Sequence, residues 1–138
     1  MRIFVDTSAL IALKDSSDRW HESALAEFES LRERPGARFA VTNYILSEVH
    51  AYFCRTPKVA LAYLDHLIAE PAFELVRASA RDEQAALDIL RSSGDKTYSF
   101  ADAVSFAVID RLKIGIAFAF DRHFVQSGRC RVVPAGRP

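Results

Sequence analysis

The sequence predicts an α/β protein, a three-layer α/β/α sandwich on a parallel sheet, and three observations predict it. Short apolar, β-prone runs alternate with longer segments whose apolar residues recur at helical spacing. Enough chain separates successive runs for a helical crossover, which implies parallel pairing and right-handed connections. The helix ahead of the fourth run is apolar around most of its circumference, as a helix at the centre of a covered sheet should be.

Arg2-Ile3-Phe4-Val5 is the first strand, and Ala9 to Leu13 make the first helical turns. Trp20, Ala24, Phe28 and Leu31 share one helix face, which Arg34-Pro35-Gly36 terminates. Arg38 to Val41 form strand two. Thr42 then caps a helix with Ile45, Val49, Tyr52 and Phe53 on one side and Glu48 in its middle. Thr56 is an N-cap followed by Pro57 at the favoured first helical position, and Ala60, Leu64, Leu67 and Ile68 supply the stripe. Pro71 ends it. Phe73 to Val76 form strand three, and Ser79 opens a helix that runs to about Ser93 and closes at Gly94. Ser99 and Asp102 make a capping-box-like pair ahead of Ala103, Val104, Ala107, Val108 and Leu112, with Gly115 as the stop. Strand four covers residues 116 to 120 and strand five Arg131 to Val133; residues 135 to 138 are expected to fray.

The 138 residues fit one domain, 1–138, without repeats or linkers. Half the residues are apolar and 18 basic residues balance 18 acidic ones, the composition of an ordinary globular protein. No apolar stretch is long enough to span a bilayer, and no basic leader precedes the first strand, so a cytoplasmic protein without a membrane partner is expected. Cys54 and Cys130 have no zinc-site spacing and are expected to be free and buried. Zero net charge lacks the basic footprint usual for nucleic-acid binders, although cations on clustered acids would change the local field.

Chemistry is suggested by four carboxylates, Asp6, Glu48, Asp102 and Asp121, each placed where an apolar run meets a helix signal. Asp6 and Asp121 follow strands, and the carboxyl ends of parallel strands at a switch point form the ligand crevice. Acids gathered there repel one another unless a divalent cation neutralises them. Helix capping is an equally good account of Asp6, and a place in the first helical turn accounts for Asp102. Glu48 is the sharpest of the four, because Ile45, Leu46 and Val49 surround it and a half-buried unpaired glutamate is costly.

The stretches Phe4-Val5-Asp6-Thr7-Ser8-Ala9-Leu10, Thr42-Asn43-Tyr44-Ile45-Leu46-Ser47-Glu48, Tyr98-Ser99-Phe100-Ala101-Asp102-Ala103-Val104-Ser105-Phe106-Ala107 and Ala119-Phe120-Asp121-Arg122-His123-Phe124 resemble, in order, the four motifs of the PIN domain family. The resemblance covers nearly the whole chain and is greatest to the VapC-type toxins of toxin-antitoxin pairs. It implies strand order 3-2-1-4-5, with Asp6 and Asp121 as neighbours. It also implies a metal-dependent ribonuclease using Mg2+ or Mn2+, in which Asp6 and Asp102 are most directly associated with metal and Glu48 and Asp121 complete the acidic set. One departure is Ala119, two residues before Asp121, where the family commonly has threonine or serine. Ser8 and Ser105 are candidate supporting hydroxyls.

Hard oxygen ligands suit magnesium or manganese, and such an ion activates water for attack on phosphorus without a covalent nucleophile. Arg122, beside Asp121, is a candidate RNA contact. His123 is a lesser one, and Lys14, Arg19, Arg55 and Lys96 are candidates by loop position alone. His21, His50 and His66 are assigned to helix surfaces. The resemblance implies an RNA substrate and a VapB-like antitoxin, and the aromatic surplus of Trp20, Tyr44, Tyr52, Phe53 and Tyr63 adds a homodimer. Two alternatives stand beside the nuclease: a PIN-like module that binds RNA or protein without cutting, and an aspartate-based phosphoryl-transfer domain. The second lacks the partner acids it needs, having Ser8 where a phosphatase requires aspartate.

Overall fold

The computed structural model describes residues 1–136. Five parallel strands form one sheet in the order β3-β2-β1-β4-β5, as the family resemblance implied. They are β1 (Arg2–Val5), β2 (Arg38–Thr42), β3 (Phe73–Val76), β4 (Ile116–Phe118) and β5 (Arg131–Val133). The helices are α1 (Thr7–Lys14), α2 (His21–Arg32), α3 (Asn43–Phe53), α4 (Pro57–Ala69), α5 (Ala80–Ser92), α6 (Phe100–Leu112) and α7 (Arg122–Ser127). Ile3, Phe4 and Val5 are all fully buried. Successive strand residues point to opposite faces, so layers must cover β1 on both sides.

The core is aromatic where α2 and α7 meet the sheet. Phe28 packs against Phe39, Phe73 and Phe118, and Phe124 lies between Phe4 and Phe106. The clamp between α5 and α6 is ionic. Asp82, its side chain 3% exposed, accepts two hydrogen bonds from Arg111 at 2.7 and 2.8 Å and closes a capping box with Ser79. The Arg111 guanidinium holds the Asp82 carboxyl below its usual range.

Three differences from the sequence expectations have local causes. β4 stops at Phe118 rather than residue 120: the Ala119 N–H still reaches the Val133 carbonyl of β5, but those of Phe120 and Asp121 turn to the Ser8 hydroxyl of α1. α6 ends at Lys113, which adopts the left-handed conformation (φ 55°), before Gly115 is reached. Cys54 is exposed, since as the C-cap of α3 it lies beyond that helix's apolar face, whereas Cys130 is half-buried and burial pushes its thiol pKa up. Of the expected frayed tail, Ala135 and Gly136 form a turn, and residues 137 and 138 lie outside the described residues.

Most of the aromatic surplus is used inside the chain. Tyr63 is buried and donates to the Leu10 carbonyl at 2.6 Å, Phe53 joins the core, Tyr44 bonds Glu83, and Trp20 stacks on Phe120. Tyr52 alone of the five keeps half its surface exposed. Among the described residues no helix is long and apolar enough to cross a membrane.

Candidate active site

β1 and β4 adjoin at the point where strand order reverses, so the crevice of an open parallel sheet falls at their carboxyl ends. Asp6 is the first residue past β1, and its N–H donates to the Phe118 carbonyl at 3.0 Å, which fixes the exit of β1 against β4. The Asp6 Oδ2 accepts from the Ser8 N–H (3.1 Å) and from the Ser8 hydroxyl (2.6 Å), a helix cap. The same hydroxyl oxygen accepts from the N–H groups of Phe120 (2.9 Å) and Asp121 (3.2 Å). One donor and two acceptor sites exhaust a serine. Ser8 therefore ties the loop after β1 to the loop after β4. Ala119 is buried and contributes only its N–H, to the Val133 carbonyl, so the hydroxyl serving this loop comes from α1.

Asp102 sits in the first turn of α6, closing a capping box with Ser99. Asp121 caps α7 by accepting from the His123 N–H at 2.8 Å. The imidazole of His123 lies between the two acids, Nδ1 being 2.8 Å from Asp102 Oδ2 and 3.4 Å from Asp121 Oδ1. Glu48, on α3, accepts from the Thr7 hydroxyl at 2.6 Å. It is more exposed than its apolar neighbours in sequence suggested, and it has a partner. Ser105 is buried on α6, and no hydrogen bond among the described residues links it to these acids. Arg122 is exposed and lines a different cleft, of about 480 Å³, with Val125, Cys130 and Val132. Of the other cations, Lys14 lies over Tyr63, Arg19 over Trp20, and Lys96 pairs with Asp95.

The acids act on one another. Burial is the largest cause that pushes the Asp6 carboxyl up to about 7; the Ser8 hydrogen bonds oppose it, and the charges of Asp121 and Asp102 add to it. Although the residue is exposed, partial desolvation of its carboxyl raises Glu48 as well, opposed by the Thr7 hydrogen bond and helped by the charges of Asp102 and Asp121. The helix caps expected as the plain account are thus real, and the capping carboxylates also face one another. One oxygen each of Asp102 and Asp121 and a ring nitrogen of His123 lie within 4.8 Å of one another. A hard divalent cation fits the two carboxylates of this group, because their mutual repulsion and desolvation are what its charge would relieve.

A pH dependence follows for the metal-free protein. A folded-state pKa near 7 against an ordinary value of 3.8 means that Asp6 favours the fold when protonated and opposes it when ionised. The handicap grows as pH rises from about 4 through 7 and is complete above about 8. Between pH 5 and 8 the wild type is expected to lose about 2.5 kcal/mol that Asp6→Asn does not lose. Thermal melts of the two proteins in chelator test this. Parallel pH profiles would refute it.

Thr7 and His123 are the functional neighbours that sequence reasoning missed. Thr7 stands inside the first motif but faces a residue 41 positions away. By sequence position His123 is a candidate RNA contact, whereas the structure makes it a partner of Asp102. The only available signal was its position two residues after Asp121, in the first turn of a helix that the acid caps.

These features, a sheet in this order with acids at its switch point, define a class of protein. The family model of the PIN domain matches residues 3–129, and the chain belongs to that family. It is 32% identical over 135 residues to the 23S rRNA-specific endonuclease VapC20 of Mycobacterium tuberculosis, covering 96% of this chain and 98% of that one. The crystal structure of VapC20, described as a sarcin-ricin loop cleaving toxin, matches with a TM-score of 0.82 at 30% identity, covering 91% and 95% of the two chains. VapBC2 from Rickettsia felis, bound to a promoter DNA fragment, shares the fold, with a TM-score of 0.72 at 12% identity and coverage of 96% and 97%.

Proposed function

We propose that the chain, acting as one PIN unit over 1–138, is a metal-dependent endoribonuclease and the toxin of a VapBC-type pair. What supports this reading is that the charges of Asp102 and Asp121 act on both Asp6 and Glu48, in a chain 32% identical to a ribosomal RNA endonuclease. Those four acids would hold Mg2+ or Mn2+. When bound, the cation supplies Lewis-acid activation of water and offsets charge on the scissile phosphate.

The chain's own residues supply positioning. Ser8 fixes Asp6 and the backbone before Asp121, Thr7 fixes Glu48, and helix capping fixes Asp102. The carboxylates are therefore oriented before RNA arrives, which preserves the reaction geometry. Arg122, exposed at the start of α7, is assigned to the RNA backbone outside the crevice. Hydrolysis leaves a 5′-phosphate and a 3′-hydroxyl. Large-subunit ribosomal RNA is the first substrate to test, by likeness to VapC20.

A cytoplasmic homodimer bound by a VapB-like antitoxin is the proposed resting form. Val59, Leu61 and Ile68 of α4 and the half-exposed Tyr52 supply apolar surface for such contacts. The antitoxin would bring a basic side chain to the acids and displace the cation by charge. The deciding experiment incubates the purified protein with ribosomes and with total RNA in Mg2+ or Mn2+. Discrete cuts, lost in chelator and restored by Mn2+, are expected. Uncut RNA under all these conditions would refute the nuclease.

A further inference from the structure

We propose that His123 is a positioning residue that locks Asp102 through a Thr97–His123–Asp102 hydrogen-bond relay. The inference rests on the proposed cation site and assigns a role to a residue outside the four acids. The ring is 15% exposed and is held on three sides. Nδ1 lies 2.8 Å from Asp102 Oδ2, Nε2 lies 3.1 Å from the Thr97 hydroxyl, and the ring meets Tyr98 edge-on at 5.4 Å between centroids. Tyr98 is in turn packed on buried Phe106, so the ring's seat belongs to the core.

The partners assign the tautomer. An ionised carboxylate only accepts, so the nitrogen facing Asp102 carries the proton. The neutral ring then has its lone pair on Nε2, where the Thr97 hydroxyl donates. Both nitrogens are engaged in this arrangement, which makes His123 a support for a ligand and not a ligand itself.

The consequence falls on Asp102. Its Oδ2 accepts from the Ser99 N–H at 3.0 Å and from His123, on two sides. No hydrogen bond among the described residues reaches Oδ1, which is thereby the oxygen left for a cation. Supports of this kind fix carboxylate orientation, and their loss typically weakens metal affinity about 10–100-fold. Thr97, whose hydroxyl can donate or accept, follows the tautomer that Asp102 imposes and donates to Nε2.

The test reads Mn2+ affinity and the ring tautomer, both independent of RNA cleavage. Nitrogen-15 NMR of metal-free wild-type protein at pH 8 should show His123 protonated on Nδ1; protonation on Nε2 would overturn the relay, whatever the variants do. His123→Ala removes the donor, and His123→Gln moves its amide toward the Nε2 position. His123→Asn keeps an N–H near the Nδ1 position. Calorimetric titration with Mn2+ should show the Ala and Gln variants about 10–100-fold weaker and the Asn variant within a few-fold of wild type. Unchanged affinity in the Ala variant, or an Asn variant as weak as Ala, would overturn the proposal. A wild type that binds Mn2+ and shows this pattern but cuts no RNA would remove the nuclease reading and keep the relay. Normal cleavage by the wild type, with Mn2+ affinity untouched in His123→Ala, would remove only the relay.

Discussion

Asp102→Asn is expected to lower RNA cleavage on the order of 10³-fold, the rate equivalent of the several kcal/mol that a metal Lewis acid supplies. The direction of the amide explains why so small a change has so large an effect. Asp102 Oδ2 already accepts from Ser99 and His123, so the asparagine oxygen must take that position and its NH2 must face the crevice. A donor then stands where a cation needs an acceptor. Asp6→Asn behaves alike, because Ser8 claims the oxygen. The two variants should differ in stability. Asp6→Asn removes a carboxylate that burial disfavours, so in chelator at pH 8 it should melt above wild type even as it loses activity. Cleavage assays and thermal melts on the same preparations check both parts. Undiminished cleavage by both variants would rule out the assigned roles.

Phe124→Ala is expected to destabilise the fold by about 3–5 kcal/mol, the range for deleting a fully buried phenylalanine. Phe124 contacts Phe4 of β1 (ring centroids 6.1 Å) and Phe106 of α6 (5.1 Å). It is the buried anchor of α7, a six-residue helix that also carries His123 and is capped by Asp121. Loss of the ring should therefore lower the melting temperature by about 10 °C or more and loosen two groups of the acidic site together. Phe124→Leu, which keeps most of the volume, should lose far less. A melting temperature within a few degrees of wild type in Phe124→Ala would show that α7 is held by something other than this packing.

Much of this was legible in the sequence because the signals are local. β3 occupies Phe73–Val76 as its strand-prone run indicates, and Thr42, Ser79 and Ser99 cap the helices they precede, whereas the Thr56 side chain makes no cap bond to α4. A cap needs a side chain and a backbone group two or three residues apart, so composition and spacing suffice to find it. The same locality explains the errors. Gly115 is the better helix stop by propensity, yet the chain terminates α6 at Lys113, whose N–H reaches back to the Ile109 and Asp110 carbonyls. β4 is shorter than its sequence indicates because residues 119 and 120 have strand-like side chains, while the fate of their N–H groups depends on partners elsewhere.

By itself, the sequence determined the alternating α/β architecture and the four acids, and family resemblance added the strand order. Only the tertiary structure decided how the acids are held. Ser8 reaches residues 112 and 113 positions away, Thr7 reaches Glu48 across 41, and His123 reaches Asp102 across 21. Hydrogen bonds of that separation leave no periodic or spacing signal, since they exist only once β1 and β4 pair and α3, α6 and α7 close over the same sheet edge. The raised proton affinity of Asp6 has the same origin, because it comes chiefly from burial, which no residue carries until the chain has folded.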